Sequence, residues 1–133
     1  MARRRNSSLG LFGVFGRSED LRSLDKALRV FDLHPARVPD AVKLTVLNLL
    51  KDAMGEDPAP TDYGKVASLL AYCAVGREAF VAANGEVAAT AAEYRIEAAL
   101  DAGEGLDASL ILLALQAAII HPGVKDAYQL ESG

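Results

Sequence analysis

Few residues in this sequence can do chemistry, and its two histidines come first. His34 and His121 are each followed by a proline. Because the residue before a proline is pushed out of helical geometry, each histidine should stand at the C-terminal end of a helix, where a partly charged ring complements the exposed carbonyls. Joint metal binding would need both corners to converge and to recruit Asp40 or Asp126. We therefore interpret both histidines as structural and predict no metal site.

The single cysteine is the next candidate for chemistry. Cys73 could act as a nucleophile with a histidine as its base, but no positive charge within three residues favours its thiolate. Its neighbours are apolar, so we predict a buried and unreactive thiol. One cysteine also excludes an internal disulfide, which fits a reducing compartment and predicts a cytoplasmic location.

The third candidate is a pair of carboxylates, Glu93 and Glu97, one helical turn apart. Paired carboxylates can transfer protons or bind a hard cation. With Arg95 nearby in an alanine-rich stretch, they are more simply the solvated face of a helix. The sequence contains no phosphate-binding loop and no nucleophile elbow. These observations predict no catalytic residue and no cofactor, and favour a protein that is not an enzyme.

The element expected to organise these residues is the apolar run 107–120. It is apolar on every side except at Ser109 and Gln116, as in a helix surrounded by other protein. The run is shorter than the roughly 18 residues that cross a membrane, so we predict a central helix and no transmembrane segment. Gln116 then either bonds a neighbouring backbone or fixes the register of a helix pair across a dimer.

The rest of the sequence reads as further helices around this centre. Gly76 either kinks a single helix over 61–84 or separates a short helix at 77–84. With these two parts counted apart, capping residues, prolines, glycines and apolar stripes predict helices over about 18–32, 39–54, 61–75, 77–84 and 86–102. In the last of these, Val87, Ala91, Tyr94 and Ala98 form the stripe expected to face inward. No segment alternates like a strand. The predicted fold is all-α, a compact bundle of five or six short helices, with residues 18–133 as a single domain.

Two corners of the predicted bundle resemble each other. The segments 33–44 and 120–130 both contain His-Pro, then Val, then Asp-Ala and a closing Leu, given a one-residue gap. Each combines a helix stop, a tight link and the start of a new helix. The helices between the two segments show no regular period, so a solenoid repeat is not indicated.

Residues 1–17 differ from the rest of the chain and are predicted to be a flexible leader. Their four arginines leave 10 basic against 18 acidic residues elsewhere, so the remaining chain has a net charge of −8. Only the leader therefore offers an electrostatic reason to bind nucleic acid or an anionic membrane. Its candidate interaction residues are Arg3, Arg4, Arg5, Leu11, Phe12 and Phe15.

Taken together, these features predict a non-enzymatic intracellular domain that mediates protein–protein interaction or homodimerisation. One alternative is a helical domain that binds a small molecule or lipid in a pocket lined by Leu and Ala with Tyr72 and Tyr94. Another is an accessory to nucleic acid or membrane that acts through the basic leader. An excess of exposed apolar surface would favour the first, and an enclosed apolar cavity the second.

Overall fold

The computed structural model describes residues 10–55 and 57–131, with side chains from Ser18 onward. The described residues form six α-helices and no strand, which confirms the all-α prediction. A short 3-10 turn, Pro35–Arg37, lies between the first two helices. The helices are α1 (Gly10–Val30), α2 (Asp40–Met54), α3 (Pro60–Asn84), α4 (Glu86–Ala102), α5 (Leu106–Gln116) and α6 (Pro122–Ala127).

The centre of the bundle is α3, which packs against α1, α4, α5 and α6. A continuous run of apolar residues, 69–74, is buried in its middle. The prediction that residues 107–120 form the central helix is therefore corrected. α5 packs on α2, α3 and α4, but its Leu112 is 51% exposed, so this helix lies at the side of the bundle.

A kink at Gly76 divides α3 into two parts. Gly76 has φ 86° and ψ 170°, a conformation open almost only to glycine. In an unbroken helix the Cys73 carbonyl would accept from the amide four residues later, but here the His121 amide donates to it at 2.7 Å. The sequence left open whether Gly76 kinks one helix or separates two. The structure shows a kink, and the chain before α6 supplies the hydrogen bond that the kink leaves unmade.

α1, α5 and α6 end in the same backbone motif. In each, a left-handed residue that is not glycine follows the helix, namely Asp32 (φ 64°), Ala118 (φ 58°) and Gln129 (φ 55°). The next amide then bonds back over five residues, as Leu33 does to the Leu28 carbonyl. This motif ends α5 at Gln116, four residues before the predicted end of the apolar run.

The N-terminal part of α1 is tied to its neighbours through Asp20. Its carboxylate pairs with Lys51 near the end of α2 and accepts from the Tyr63 hydroxyl near the start of α3, at 3.0 Å. The helix begins at Gly10, so the predicted start at residue 18 is wrong. Further along α1, Asp25 pairs with the buried Lys43 of α2 at 3.0 Å.

α3 is long and apolar enough to cross a membrane by length and composition. However, 56% of its most apolar window is buried inside the fold, as in the core helix of a bundle. No other helix among the described residues meets the same criteria. The predicted absence of a transmembrane segment stays a prediction.

Candidate functional site

The two His-Pro corners have the same capping geometry. Nδ1 of His34 accepts from the Ala36 amide at 3.0 Å, and Nδ1 of His121 accepts from the Gly123 amide at 2.9 Å. Each histidine therefore caps the N-terminus of the helical turn that follows it. The predicted role at the preceding helix C-terminus is wrong, because α1 ends at Val30 and α5 at Gln116, at least four residues before the histidine that follows.

The His121 ring also packs against the kink in α3. A methyl group placed on Gly76 would lie 2.9 Å from both Cγ and Nδ1 of this ring. Within the ranges that the structure describes, no group of three or more His, Cys, Asp or Glu residues could hold a metal ion. The structure thus gives His121 a structural role at the kink of α3.

Cys73 lies in the core, as the sequence predicted. It is 1% exposed, and burial raises the pKa of its thiol to about 12, a change that the positive charge of Arg95 only partly opposes. The thiolate needed for nucleophilic attack is therefore scarce at neutral pH. Cys73 is a packing residue of α3.

A polar network joins α3 to α4 at the level of the kink. Glu93 accepts from the Tyr72 hydroxyl at 2.6 Å and from Nε of Arg77 at 2.9 Å, both at the same carboxylate oxygen. Arg77 also donates to both oxygens of Glu86, at 2.8 and 3.1 Å. The prediction that Glu93 belongs to a solvated face is wrong for this residue. Its carboxylate is a link between two helices, while Glu97 is exposed as expected.

The tyrosines bonded to carboxylates are held in the neutral form. Burial raises the pKa of Tyr72 far above its ordinary value, and the hydrogen bond and negative charge of Glu93 raise it further. Tyr63 shows the same effect, because its burial and its bond to Asp20 both oppose ionisation. A tyrosine with so high a pKa is a hydrogen-bond donor and not a base, so each of these tyrosines supplies a structural bond.

A second link, two residues further along α4, joins this helix to α5 and α3. Arg95 makes two parallel bonds to Asp107 at the start of α5, at 3.0 and 2.8 Å, and donates to the Lys65 carbonyl of α3 at 2.7 Å. Paired guanidinium–carboxylate bonds of this kind are strong and directional. Together with the Glu93 network, this link sets the rotation of α4 about its own axis.

That rotation is the reverse of the predicted one. The buried stripe of α4 consists of small residues and one isoleucine, namely Ala89, Ala92, Ile96 and Ala99. The predicted inward stripe, Val87, Ala91, Tyr94 and Ala98, faces outward and is exposed. A sequence signal for this exists: the same spacing continued by one step reaches Asp101, which a buried stripe would not tolerate.

We call the exposed stripe Val87, Ala91, Tyr94 and Ala98 the outer face of α4. Val87 is 86% exposed and Tyr94 is 75% exposed, more than any other large apolar side chain that the structure describes. The exposed carboxylates of Glu97 and Asp101 lie along one side of this stripe. The outer face is thus an apolar strip with an acidic edge, carried on a helix whose middle is held by the Glu93 and Arg95 links.

The remaining predicted positions do not join this surface. Gln116 is exposed at the end of α5, and its two predicted roles, a bond to a neighbouring backbone or the register of a helix pair across a dimer, stay predictions. Arg3, Arg4 and Arg5 lie outside the described residues. The same holds for the side chains of Leu11, Phe12 and Phe15, whose backbone belongs to α1.

Tyr72 and Tyr94, the tyrosines of the predicted ligand pocket, do not line a common cavity. Tyr72 is buried, and Tyr94 projects from the surface. One open cleft of about 380 Å³ is lined by the charged residues Lys51, Asp52 and Asp57 together with Gly55. That cleft has neither the apolar lining nor the enclosure that a lipid or apolar ligand requires.

Comparison with known proteins finds no counterpart for this chain. No protein family matches the sequence, and no curated protein or solved structure matches it. The functional interpretation therefore rests on the geometry given above.

Proposed function

We propose that this chain is a non-enzymatic, cytoplasmic protein-interaction domain that binds a helix of its partner along the outer face of α4. The observation that carries the proposal is the exposure of Val87 and Tyr94 on one stripe of one helix. A large apolar side chain that is at least 75% exposed does not gain the free energy of burial, which is roughly 25 cal/mol per Å². Two such residues seven positions apart form a surface that a partner helix can cover.

The charges around this face indicate which charge the partner should carry. Glu97 and Asp101 are exposed along one side. The single basic residue of α4, Arg95, is paired with Asp107. A helix that carries its own apolar stripe and a row of Lys or Arg beside it would match both the apolar strip and the acidic edge. A second acidic helix would be repelled.

The way α4 is anchored supports its use as a docking surface. Binding is stronger when the surface does not have to be ordered at the moment of contact. The Glu93 and Arg95 links hold α4 on α3 and α5 and leave its outer face unused by the fold. The small side chains of the buried stripe, among them Ala89 and Ala92, complete this arrangement, because they let α4 lie close to α3.

Site-specific photocrosslinking tests the proposal. A benzophenone side chain placed at position 94 in the full chain should crosslink to a helical segment rich in Lys or Arg. The same group at position 112 of α5, where Leu112 is 51% exposed, is the matched control and should not. Peptide mapping of the crosslinked product identifies the bound segment.

Crosslinks of equal yield from both positions, or from position 94 to acidic or non-helical segments, would contradict the assignment of this face. Nuclease treatment should leave the crosslinked product unchanged. Loss of the product with nuclease would instead support a nucleic-acid accessory.

A further inference from the structure

The start of α1 extends beyond the helices beside it. Asp20 contacts Lys51 and Tyr63 and so marks one level in three helices. Beyond this level, α2 continues for three residues to its end at Met54, and α3 extends three residues back to its start at Pro60. α1 extends ten residues back, to Gly10. At about 1.5 Å per residue, α1 projects roughly 10 Å past the ends of both neighbours.

The composition of this end of the chain complements the outer face of α4. Residues 1–17 contain four arginines, no acid and several large apolar residues. The outer face of α4 offers an apolar stripe beside two exposed carboxylates, Glu97 and Asp101. An apolar helical segment with arginines is the partner chemistry that this face requires.

Two other occupants fit less well. Pairing α4 with a second, antiparallel α4 about a twofold axis would place the two acidic edges on the same side of the interface, where like charges repel. Docking within one chain would require α1 to turn back on itself, although it is a continuous helix from Gly10 to Val30. A segment that projects away from its own bundle reaches another molecule more directly.

We propose that the first turns of α1 in one copy of this chain dock on the outer face of α4 in a second copy. The positive charge of this arginine-containing segment then faces the acidic edge formed by Glu97 and Asp101. The inference rests on the proposed function, because it names the partner helix for the same face. The contact joins two different surfaces, so it gives a reciprocal dimer if the geometry closes and a head-to-tail chain if it does not.

One helix on one helix face is smaller than a standard interface of about 800 Å² per partner. We therefore expect weak self-association, micromolar or weaker, that salt suppresses because the edge contacts are exposed. Sedimentation velocity of the full chain over a range of concentrations measures it. The average sedimentation coefficient should rise with concentration at about 50 mM salt and much less at about 500 mM.

Matched variants locate the contact. Tyr94→Ser should weaken self-association at least tenfold, and Leu112→Ser, a similar loss on α5, should leave it unchanged. Because both side chains are at least half exposed, neither variant should unfold, and circular dichroism checks this. Exchanging the edge charges through Glu97→Lys together with Asp101→Lys should weaken association as well, by repulsion from the arginines.

A competition experiment identifies the docking segment. A synthetic peptide of residues 1–17, added to the full chain, should return it to monomer, and a peptide with its four arginines replaced by glutamine should not. A chain that stays monomeric at every concentration, or whose association survives Tyr94→Ser, would overturn the inference. If the residue-94 crosslinker instead attaches a basic helix of a different protein, the proposed function stands and this inference fails.

Discussion

Replacing Gly76 by alanine is the sharpest test of the kink in α3. The backbone at Gly76 has φ 86° and ψ 170°, where a residue with a side chain costs about 1–3 kcal/mol. The new methyl group would also meet Cγ and Nδ1 of the His121 ring at 2.9 Å, and such overpacking costs about 1–3 kcal/mol. The expected loss is therefore about 2–6 kcal/mol, a large part of the roughly 5–15 kcal/mol of a typical domain.

Gly64, near the start of the same helix, is the matched control. A methyl group there meets nothing within 4 Å, and its backbone is ordinary helix. Gly64→Ala should therefore stabilise the protein by about 0.5–1 kcal/mol, because alanine loses less conformational freedom in a helix. The same substitution in one helix is thus expected to act with opposite signs at positions 64 and 76.

Urea denaturation followed by far-UV circular dichroism measures both free energies of unfolding. The double variant Gly76→Ala with His121→Ala, compared with His121→Ala alone, separates the steric part from the backbone strain. If Gly76→Ala were as stable as Gly64→Ala, α3 would straighten at no cost and the proposed role of the kink would be refuted.

Three further outcomes follow from the same contacts. The free energy of unfolding should fall by up to about 1.4 kcal/mol per pH unit above about pH 10, because Tyr72 ionises there in the unfolded chain but not in the fold. Melting temperatures measured at pH 8–11 should depend less on pH in Tyr72→Phe. Ala118→Gly should raise stability by about 0.5–1 kcal/mol, since it relieves a left-handed alanine, and an unchanged melting temperature would argue against that conformation. Arg95→Met should cost about 1–3 kcal/mol by leaving Asp107 without its paired bonds, and urea denaturation would contradict the link if the midpoint did not move.

Local signals in the sequence determined much of this fold. Apolar stripes at helical spacing indicated α1 and the first part of α3, and the structure buries residues of these stripes such as Leu24, Leu28, Val66 and Leu69. Prolines and glycines marked most helix ends, because they act on the backbone of their own residue. The likeness of the two His-Pro corners was also visible, and the structure confirms that each one starts a new helical turn.

Distant contacts decided what local pattern could not. Two stripes of α4 have helical spacing, and the larger side chains of one, Val87 and Tyr94, suggested the core. The fold instead buries the alanine stripe, because Glu93 and Arg95 find partners on α3 and α5 that fix the rotation of α4. That choice depends on groups 12 to 30 residues away, and it produces the outer face on which the proposed function rests.

The same distinction applies to the centre of the bundle and to its histidines. Hydrophobicity alone suggested that residues 107–120 form the central helix. The central helix is instead α3, because it packs against four other helices. The sequence placed His34 and His121 beside prolines, which stops a helix locally. Only the tertiary structure brings the His121 amide to the carbonyl that the kink at Gly76 leaves free. Local composition thus determined where helices form and end, and packing between distant residues determined which faces they bury and which they leave for a partner.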